Sequence, residues 1–263
     1  MEKILILTPV KDACPWLEGY FSNLANLTWP HELISLGLLE SDSKDDTYNR
    51  IVQRIPELQQ RFARAAIWQK SFGFHMPEGM PRWEHTWQTA RRAALAKSRN
   101  YLLFRALDDE AWVLWLDVDV IEYPPDIIER LLVAGKEIVT PHCVHQYGGR
   151  SFDLNAWRDR GRRHLHDLRG EGDLVRLDAV GGTMLLVRAD LHRQGLVFPP
   201  FLYGKKNRLI RRFNWFTRRR DLWKLRSRPF MGEIETEGLG MMAHDMGYEC
   251  WGMPNLEIRH REG

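Results

Sequence analysis

The run Trp112-Val113-Leu114-Trp115-Leu116-Asp117-Val118-Asp119 joins five apolar residues to two acids spaced two apart. Side chains two apart on an extended chain point the same way. The run therefore presents two carboxylates together at the end of a buried strand. Without a cation they repel, and one takes up a proton. A hard divalent ion, Mn²⁺ or Mg²⁺, removes the repulsion, and a diphosphate can complete its shell. Asp-x-Asp also arises by chance as a solvated turn. The apolar strand before the pair and Ile121 after it favour the metal reading, because charge is rarely left in such a run without a partner.

Other residues could join this chemistry. His260 follows a short apolar strand near the end of the sequence. A neutral imidazole ligates Mn²⁺, but the residue alone reads better as a surface histidine between Arg259 and Arg261. In Glu235-Thr236-Glu237-Gly238-Leu239-Gly240 the acids are either dipole partners in a first helical turn or, at Glu237, a carboxylate that binds or polarises an acceptor hydroxyl. Gly181-Gly182-Thr183 either lets backbone approach a substrate closely, with Gly182 at the contact, or makes a tight turn. Arg91, Arg92, Arg99 and Asn100 sit on a helix leading to the Asp117 strand. A guanidinium facing the site from there neutralises phosphate charge.

A repeating pattern positions these residues. Ile4 to Thr8 reads as a buried strand stopped by Pro9, Pro15 to Leu27 as a helix, and Leu33 to Leu39 as a second strand. Thr47 to Ser71 reads as mostly helical with Pro56 near its start, 72–81 as a loop, and 84–107 as a long basic helix. Ala111 to Leu116 is a third strand. A helix opens at Pro124-Pro125 and runs through Leu132, and Glu137 to Thr140 is a fourth strand. Strands alternating with helices predict an α/β fold with a mostly parallel central sheet and helices on both faces. Ligands in such sheets sit at the carboxyl ends of the strands. Thr8, Lys11, Asp42, Ser43, Asp117 and Asp119 all fall there. Further on, 144–172 reads as loop with a short helix, Leu174–Leu177 and Met184–Arg188 as strands, Glu235–Met246 as a helix, and Leu256–Arg259 as a last strand.

The bulk composition narrows the classes. The 263 residues are 44% hydrophobic and 28% charged, which describes a globular chain with a sizeable core. A net charge of +3 creates no field for nucleic acid, so none is expected as a partner. Three sparse cysteines favour a reducing compartment. No stretch has the length of a transmembrane helix or the pattern of a signal peptide. The segment 205–228 is densely basic, with Asp221 its only acid, and is interleaved with Phe213, Trp215, Phe216 and Trp223. Such a stretch suits peripheral contact with an anionic membrane, though single-stranded nucleic acid or a solvated insertion are alternatives.

Several motifs taken in order resemble one known family. They are Ile4-Leu5-Ile6-Leu7-Thr8-Pro9-Val10-Lys11-Asp12-Ala13, His31-Glu32-Leu33-Ile34-Ser35-Leu36-Gly37 with Ser41-Asp42-Ser43, and Ser98-Arg99-Asn100-Tyr101-Leu102-Leu103. Val180-Gly181-Gly182-Thr183-Met184-Leu185-Leu186-Val187, Val197-Phe198-Pro199-Pro200-Phe201, Thr236-Glu237-Gly238-Leu239-Gly240 and Gly252-Met253-Pro254-Asn255 through His260 complete the set. Nearly the whole chain resembles glycosyltransferase family 62, the fungal Golgi α-1,6-mannosyltransferases of the mannan polymerase complexes.

The resemblance implies a GT-A type nucleotide-diphospho-sugar transferase fold, GDP-mannose as donor, Mn²⁺ as cofactor and retention of configuration. It implies that Asp119 and His260 ligate the metal, with Asp117 contacting it or the donor ribose. Thr8, Pro9 and Asp42 would line the nucleoside pocket, Arg99 and Asn100 would lie near the donor sugar or its phosphates, and Glu237 near the acceptor. The expected organisation is a single catalytic domain over 1–263. Residues 1–140 form its nucleotide-binding half and 141–263 its acceptor half, with 205–228 as a basic insertion. The acceptor is a glycan or a lipid-linked glycan, and a homo-oligomer is possible. Fungal members carry an N-terminal anchor and stem not seen before Ile4. The expected setting is therefore cytoplasmic, peripheral to the inner face of the membrane, with a trimmed Golgi luminal domain as the alternative. Two rivals share the motifs: a nucleotidyltransferase acting on a sugar phosphate, and a non-catalytic scaffold that binds glycan.

Overall fold

The computed structural model describes residues 1–75, 85–204 and 232–261. The basic segment 205–228, and with it the sequence expectation of a membrane-facing insertion, lies outside the described residues. So does most of the loop expected over 72–81. The chain begins with β1 (Ile4–Val10), whose Ile4, Leu5, Ile6 and Leu7 are at most 1% exposed. A strand covered on both faces needs apolar residues at every position, which is why this one reads as a run and not an alternation. Pro9 is inside β1 rather than at its end. Pairing with the neighbour β4 (Trp112–Leu116) stops at Leu7, while pairing with β2 (Ile34–Glu40) continues through Val10, so the residue without an N–H sits where one flank is free.

After α1 (Leu17–Ala25) and β2, the helix α2 (Thr47–Arg61) is shorter than expected. It gives way to a strand, β3 (Arg64–Gln69), parallel to β2 at the sheet edge. Ala65-Ala66-Ile67-Trp68 carries no helix breaker, and only the edge position offered by β2 decides its state. Pro56 lies in the middle of α2, not near its start. It is exposed, as is Val52 one turn earlier, so water can replace the hydrogen bond that Pro56 cannot donate.

α3 (His85–Ala106) leads back to β4. Then follow β5 (Val120–Glu122), α4 (Ile127–Val133) and β6 (Ile138–Val144). Pro124-Pro125 precede α4 instead of opening it. Within 144–172 the structure adds a small hairpin, β7 (Trp157–Arg158) with β8 (Arg163–His164), and a single helical turn α5 (Leu165–Leu168). β9 (Val175–Leu177), β10 (Met184–Arg188), α6 (Ala189–Arg193), α7 (Glu235–Asp245) and β11 (Cys250–His260) complete the described elements. β11 is far longer than the predicted 256–259. Its pairing with β6 shifts register between Met253 and Glu257, around Pro254, so the two apolar stretches did not read as one strand.

The main sheet runs β3-β2-β1-β4-β10-β6-β11-β5, with β9 pairing off β11. The pairs β3–β2, β2–β1, β1–β4 and β6–β11 are parallel, while β10 runs antiparallel between β4 and β6. Two apolar cores flank it. Ile4, Ile6, Leu114 and Leu116 face α1, α2 and α4, whereas Leu5, Leu7, Val113 and Trp115 face α3, α6 and α7. Gly37 allows the close approach of α3, since a Cβ there would lie 2.7 Å from Leu7 and 3.0 Å from Ala106. No helix of the described residues is long and apolar enough to cross a membrane.

Candidate active site

The chain leaves β1, goes outward to β2 and β3, and returns on the other side of β1 as β4. That reversal opens a crevice at the carboxyl ends of β1 and β4. The crevice is a cleft of about 420 Å³, walled by Pro9 to Asp12 at the end of β1 and by Asp117, Val118 and Asp119 after β4.

At its floor, Asp119 is held by the end of β11. His260 Nε2 lies 3.0 Å from one carboxylate oxygen, and Arg261 Nε lies 3.2 Å from the other. β11 pairs with β5 here, His260 opposite Val120, which brings the far end of the sequence beside the aspartate. Phe152 stacks on the His260 ring at 3.8 Å between centroids. His260 Nδ1 is 2.9 Å from the Arg261 carbonyl, so both ring nitrogens face oxygen acceptors, and the hydrogen bond to Asp119 places a proton on Nε2 that a bound cation would displace.

Asp117 turns to the other wall, where Arg99 Nη2 donates to its Oδ1 at 3.0 Å and to the Gly182 carbonyl at 3.1 Å. Burial holds the Asp117 carboxyl well above the usual carboxylate range. Arg99 opposes that rise, and Asp119, Asp153 and Glu235 add to it. Burial also works to raise Asp119, but the hydrogen bonds and charges of His260 and Arg261 outweigh it and hold that carboxyl below the usual range.

The donor types gathered here are those a divalent cation takes. Two carboxylates of one cleft and an imidazole held at its other ring atom are groups that suit a hard ion. Among the described residues, no three such side chains are already gathered into a cage. Asp117 leans toward Arg99, and Asp119 toward His260 and Arg261.

α3 presents two faces. Arg91, Ala94, Leu95 and Ser98 line the cleft, at the spacing of one helical stripe. Arg92 and Arg99, seven apart, lie on a neighbouring stripe turned into the protein. Arg99 is 1% exposed, lies against the rings of Trp115 and Phe198, and pairs with Glu235 at 3.1 Å. Arg92 pairs with Glu237 at 2.6 Å and donates to the Ile234 carbonyl at 2.6 Å. Glu237 also accepts from Trp157 Nε1 at 2.6 Å, so both of its oxygens are engaged behind the cleft. Glu235 carries φ of +60° while almost fully buried, a conformation its two arginine partners must hold in place.

Gly182 fills a gap that admits no side chain: a Cβ would lie 2.8 Å from Arg99 and 2.8 Å from Thr236. Asp153 fixes this turn by accepting from Gly182 N at 2.8 Å, Thr183 N at 3.2 Å and Thr183 Oγ1 at 3.1 Å.

At the opposite end of the cleft, Asp42 (φ +57°) accepts from Ser71 Oγ at 2.5 Å and Phe72 N at 2.9 Å, which fixes the loop carrying Phe72 and Phe74 to the rim. Burial acts to raise Asp42, and those hydrogen bonds with nearby Lys11 prevail and lower it.

The predicted residues thus divide. Pro9, Asp42, Asp117 and Asp119 border the cleft, and His260 backs Asp119. Thr8 does not reach it; fully buried, its hydroxyl meets Tyr20 OH at 2.7 Å. Asn100 spends its side chain on the backbone of Phe198, donating to O at 2.7 Å and accepting from N at 2.9 Å. Arg99, Gly182 and Glu237 lie one layer behind. Sequence reasoning gave no role to Asp153, Trp157, Ser98 or Arg261. The 3.6-residue period of α3 could have separated Ser98 and Arg91 from Arg92 and Arg99; nothing local marks Asp153 or Trp157.

Comparisons with known proteins bear on the family and the fold. The Anp1 family model matches residues 1–167 and 160–202. The chain is 29% identical over 301 residues to the mannan polymerase II complex anp1 subunit of Schizosaccharomyces pombe, covering 98% of this chain and 64% of that protein. It is 28% identical over 305 residues to the mannan polymerase complex subunit MNN9 of Candida albicans, covering 98% and 74%. It therefore spans a little under two thirds of the fission-yeast relative. Among solved structures, mannosyltransferase PcManGT from Pyrobaculum calidifontis, in complex with GDP-Man and Mn²⁺, superposes with a TM-score of 0.58 at 13% identity, over 98% of this chain and 56% of that one. GalNAc-T7 with UDP, GalNAc and Mn²⁺ superposes with a TM-score of 0.59 at 10% identity, over 100% and 43%. The shared architecture is the GT-A-like α/β fold.

Proposed function

The chain belongs to the Anp1 family, and from that premise we propose that it is a metal-dependent glycosyltransferase moving a hexose, mannose from GDP-mannose, to a glycan or lipid-linked acceptor with retention. One observation carries the reading: the cleft at the carboxyl ends of β1 and β4 has Asp117 and Asp119 on its floor and His260 against Asp119. The relatives named mannan polymerase subunits, and the GDP-Man and Mn²⁺ in the PcManGT structure, support the choice of donor and ion.

The nucleoside end is the rim of Pro9, Asp42, Phe72 and Phe74, where an apolar wall meets a carboxylate. Asp119 and His260 are the residues to hold Mn²⁺ or Mg²⁺, with Asp117 beside them; when bound, the ion neutralises charge growing on the leaving diphosphate. Arg99 holds Asp117 in register and keeps the Gly182 turn against it. Asn100 acts one step back, fixing the Phe198 backbone beneath Arg99. Arg92 and Trp157 orient Glu237 toward the acceptor side. In a retaining front-face route the departing phosphate accepts the acceptor's proton, so no carboxylate base is needed, and Glu237 acts from behind the cleft by holding Arg92 and Trp157. The acceptor half over 141–263, the peripheral membrane contact through 205–228, the cytoplasmic setting and a homo-oligomer belong to the same proposal.

A thermal-shift panel of nucleotide sugars with Mn²⁺ tests it. GDP and GDP-mannose should raise Tm selectively; indifference to every nucleotide sugar refutes the donor assignment. Release of pyrophosphate from an NTP and a sugar phosphate would instead identify a nucleotidyltransferase. Binding of glycan without turnover would identify a scaffold. Anomeric NMR of the product reads retention directly.

A further inference from the structure

We propose that Arg261 is a diphosphate-binding residue of the cleft, a role that rests on the nucleotide-sugar reading above. Its side chain lines the cleft beside Asp119. Two contacts fix it there: Nε lies 3.2 Å from Asp119 Oδ2, and the guanidinium centre stands 4.5 Å from the Trp16 ring centroid. Its backbone N–H also donates to the Asp119 carbonyl at 3.2 Å. Only Nε is engaged: among the described residues the terminal amino groups of Arg261 have no hydrogen-bond partner.

The chemistry of that arrangement is specific. A guanidinium carries five N–H donors in a planar fork. With Nε spent on Asp119, the four terminal N–H groups remain, and the fork matches phosphate oxygens. Trp16 and Asp119 hold it before any ligand arrives, so little side-chain freedom is lost on binding. A cation at this point of the floor has work to do: Asp117 and Asp119 border the same space, and Asp153 and Glu235 add negative charge behind them. Arg99, the nearest buried cation, is already committed to Asp117, Gly182 and Glu235. Of the cations lining the cleft, Arg261 is the one in contact with Asp119.

The rival reading makes Arg261 only a tie between the end of β11 and the Asp119 loop. Titration calorimetry with Mn²⁺ present separates the two, using GDP, guanosine and inorganic pyrophosphate on the full chain and on Arg261→Gln and Arg261→Lys. Loss of a charged hydrogen-bond pair should weaken GDP and pyrophosphate binding by roughly tenfold to a hundredfold in Arg261→Gln, with guanosine binding unchanged. Arg261→Lys, which keeps the charge and the fold but not the fork, should fall between. Unchanged GDP binding, or guanosine weakened as much as GDP, overturns the assignment. If the wild-type chain binds pyrophosphate but not GDP, and Arg261→Gln loses it, the donor reading fails while the Arg261 assignment stands. If it binds neither, both fail.

Discussion

His260 Nε2 lies 3.0 Å from Asp119 Oδ1, bringing the last strand of the chain onto the loop that follows the fourth. The contact exists because β11 and β5 pair antiparallel with His260 opposite Val120, and because Phe152 stacks on the imidazole and limits its rotation. Asp119 is thereby turned toward the cleft floor with a nitrogen donor beside it, an arrangement that loss of either partner disrupts.

Asp119→Ala should lower Mn²⁺-dependent turnover of GDP-mannose by at least about a hundredfold, the scale of losing one electrostatic contact in a transition state. Chelation of the wild-type chain should do the same, and added Mn²⁺ should rescue the wild type alone. Coupled GDP-release kinetics read both; full turnover by Asp119→Ala refutes the metal assignment.

Arg99→Met should destabilise the fold by about 3 to 5 kcal/mol, because it strips a buried partner from Asp117 and Glu235 together. The double change Arg99→Met with Glu235→Gln should recover part of that loss, since one stranded charge is gone. Urea unfolding midpoints measure it, and strict additivity of the two changes would contradict the coupling.

Gly182→Ala should cost roughly 1 to 3 kcal/mol of overpacking, since its Cβ would lie 2.8 Å from both Arg99 and Thr236. Turnover should fall further than stability explains, because the displaced group is the one that holds Asp117. Comparing Tm with the hydrolysis rate distinguishes the two; a rate equal to wild type would remove Gly182 from the site.

Acid should weaken the fold through His142 and His192, both lowered to about 4, chiefly by burial. The unfolded chain protonates them near 6.5. Between that pH and about 4 it binds protons that the native state refuses, so stability declines as pH falls, by about 1.4 kcal/mol per unit for each ring. Asp117 works in the opposite direction: its raised folded pKa binds a proton before the unfolded chain does, and offsets part of the loss. His192→Gln should flatten the slope by one proton in chemical unfolding run from pH 7 to 4.5.

Read from the sequence alone, the chain specified its layered sheet. Short, fully apolar runs bounded by turn residues, such as Ile4–Leu7 and Trp112–Leu116, fit strands covered on both faces, and where such strands are parallel the polar residues that end them gather at one edge of the sheet. Asp117 and Asp119, which follow such a run, therefore belong at that edge. Tertiary structure decided everything that depends on contacts distant in sequence. The edge strand β3 has no local signature apart from the neighbour that accepts it. The length of β11 follows from its pairing with β6 across a register shift. Whether Arg91 or Arg99 faces the cleft, whether Asn100 meets a ligand or the backbone of Phe198, and which residues hold Glu237 were settled by packing, because a side chain's direction becomes fixed only when its neighbours occupy the alternatives. Arg261 is the clearest case: in the sequence it is one charge among many, and only the turn of β11 beside Asp119 and the face of Trp16 make it a directed group.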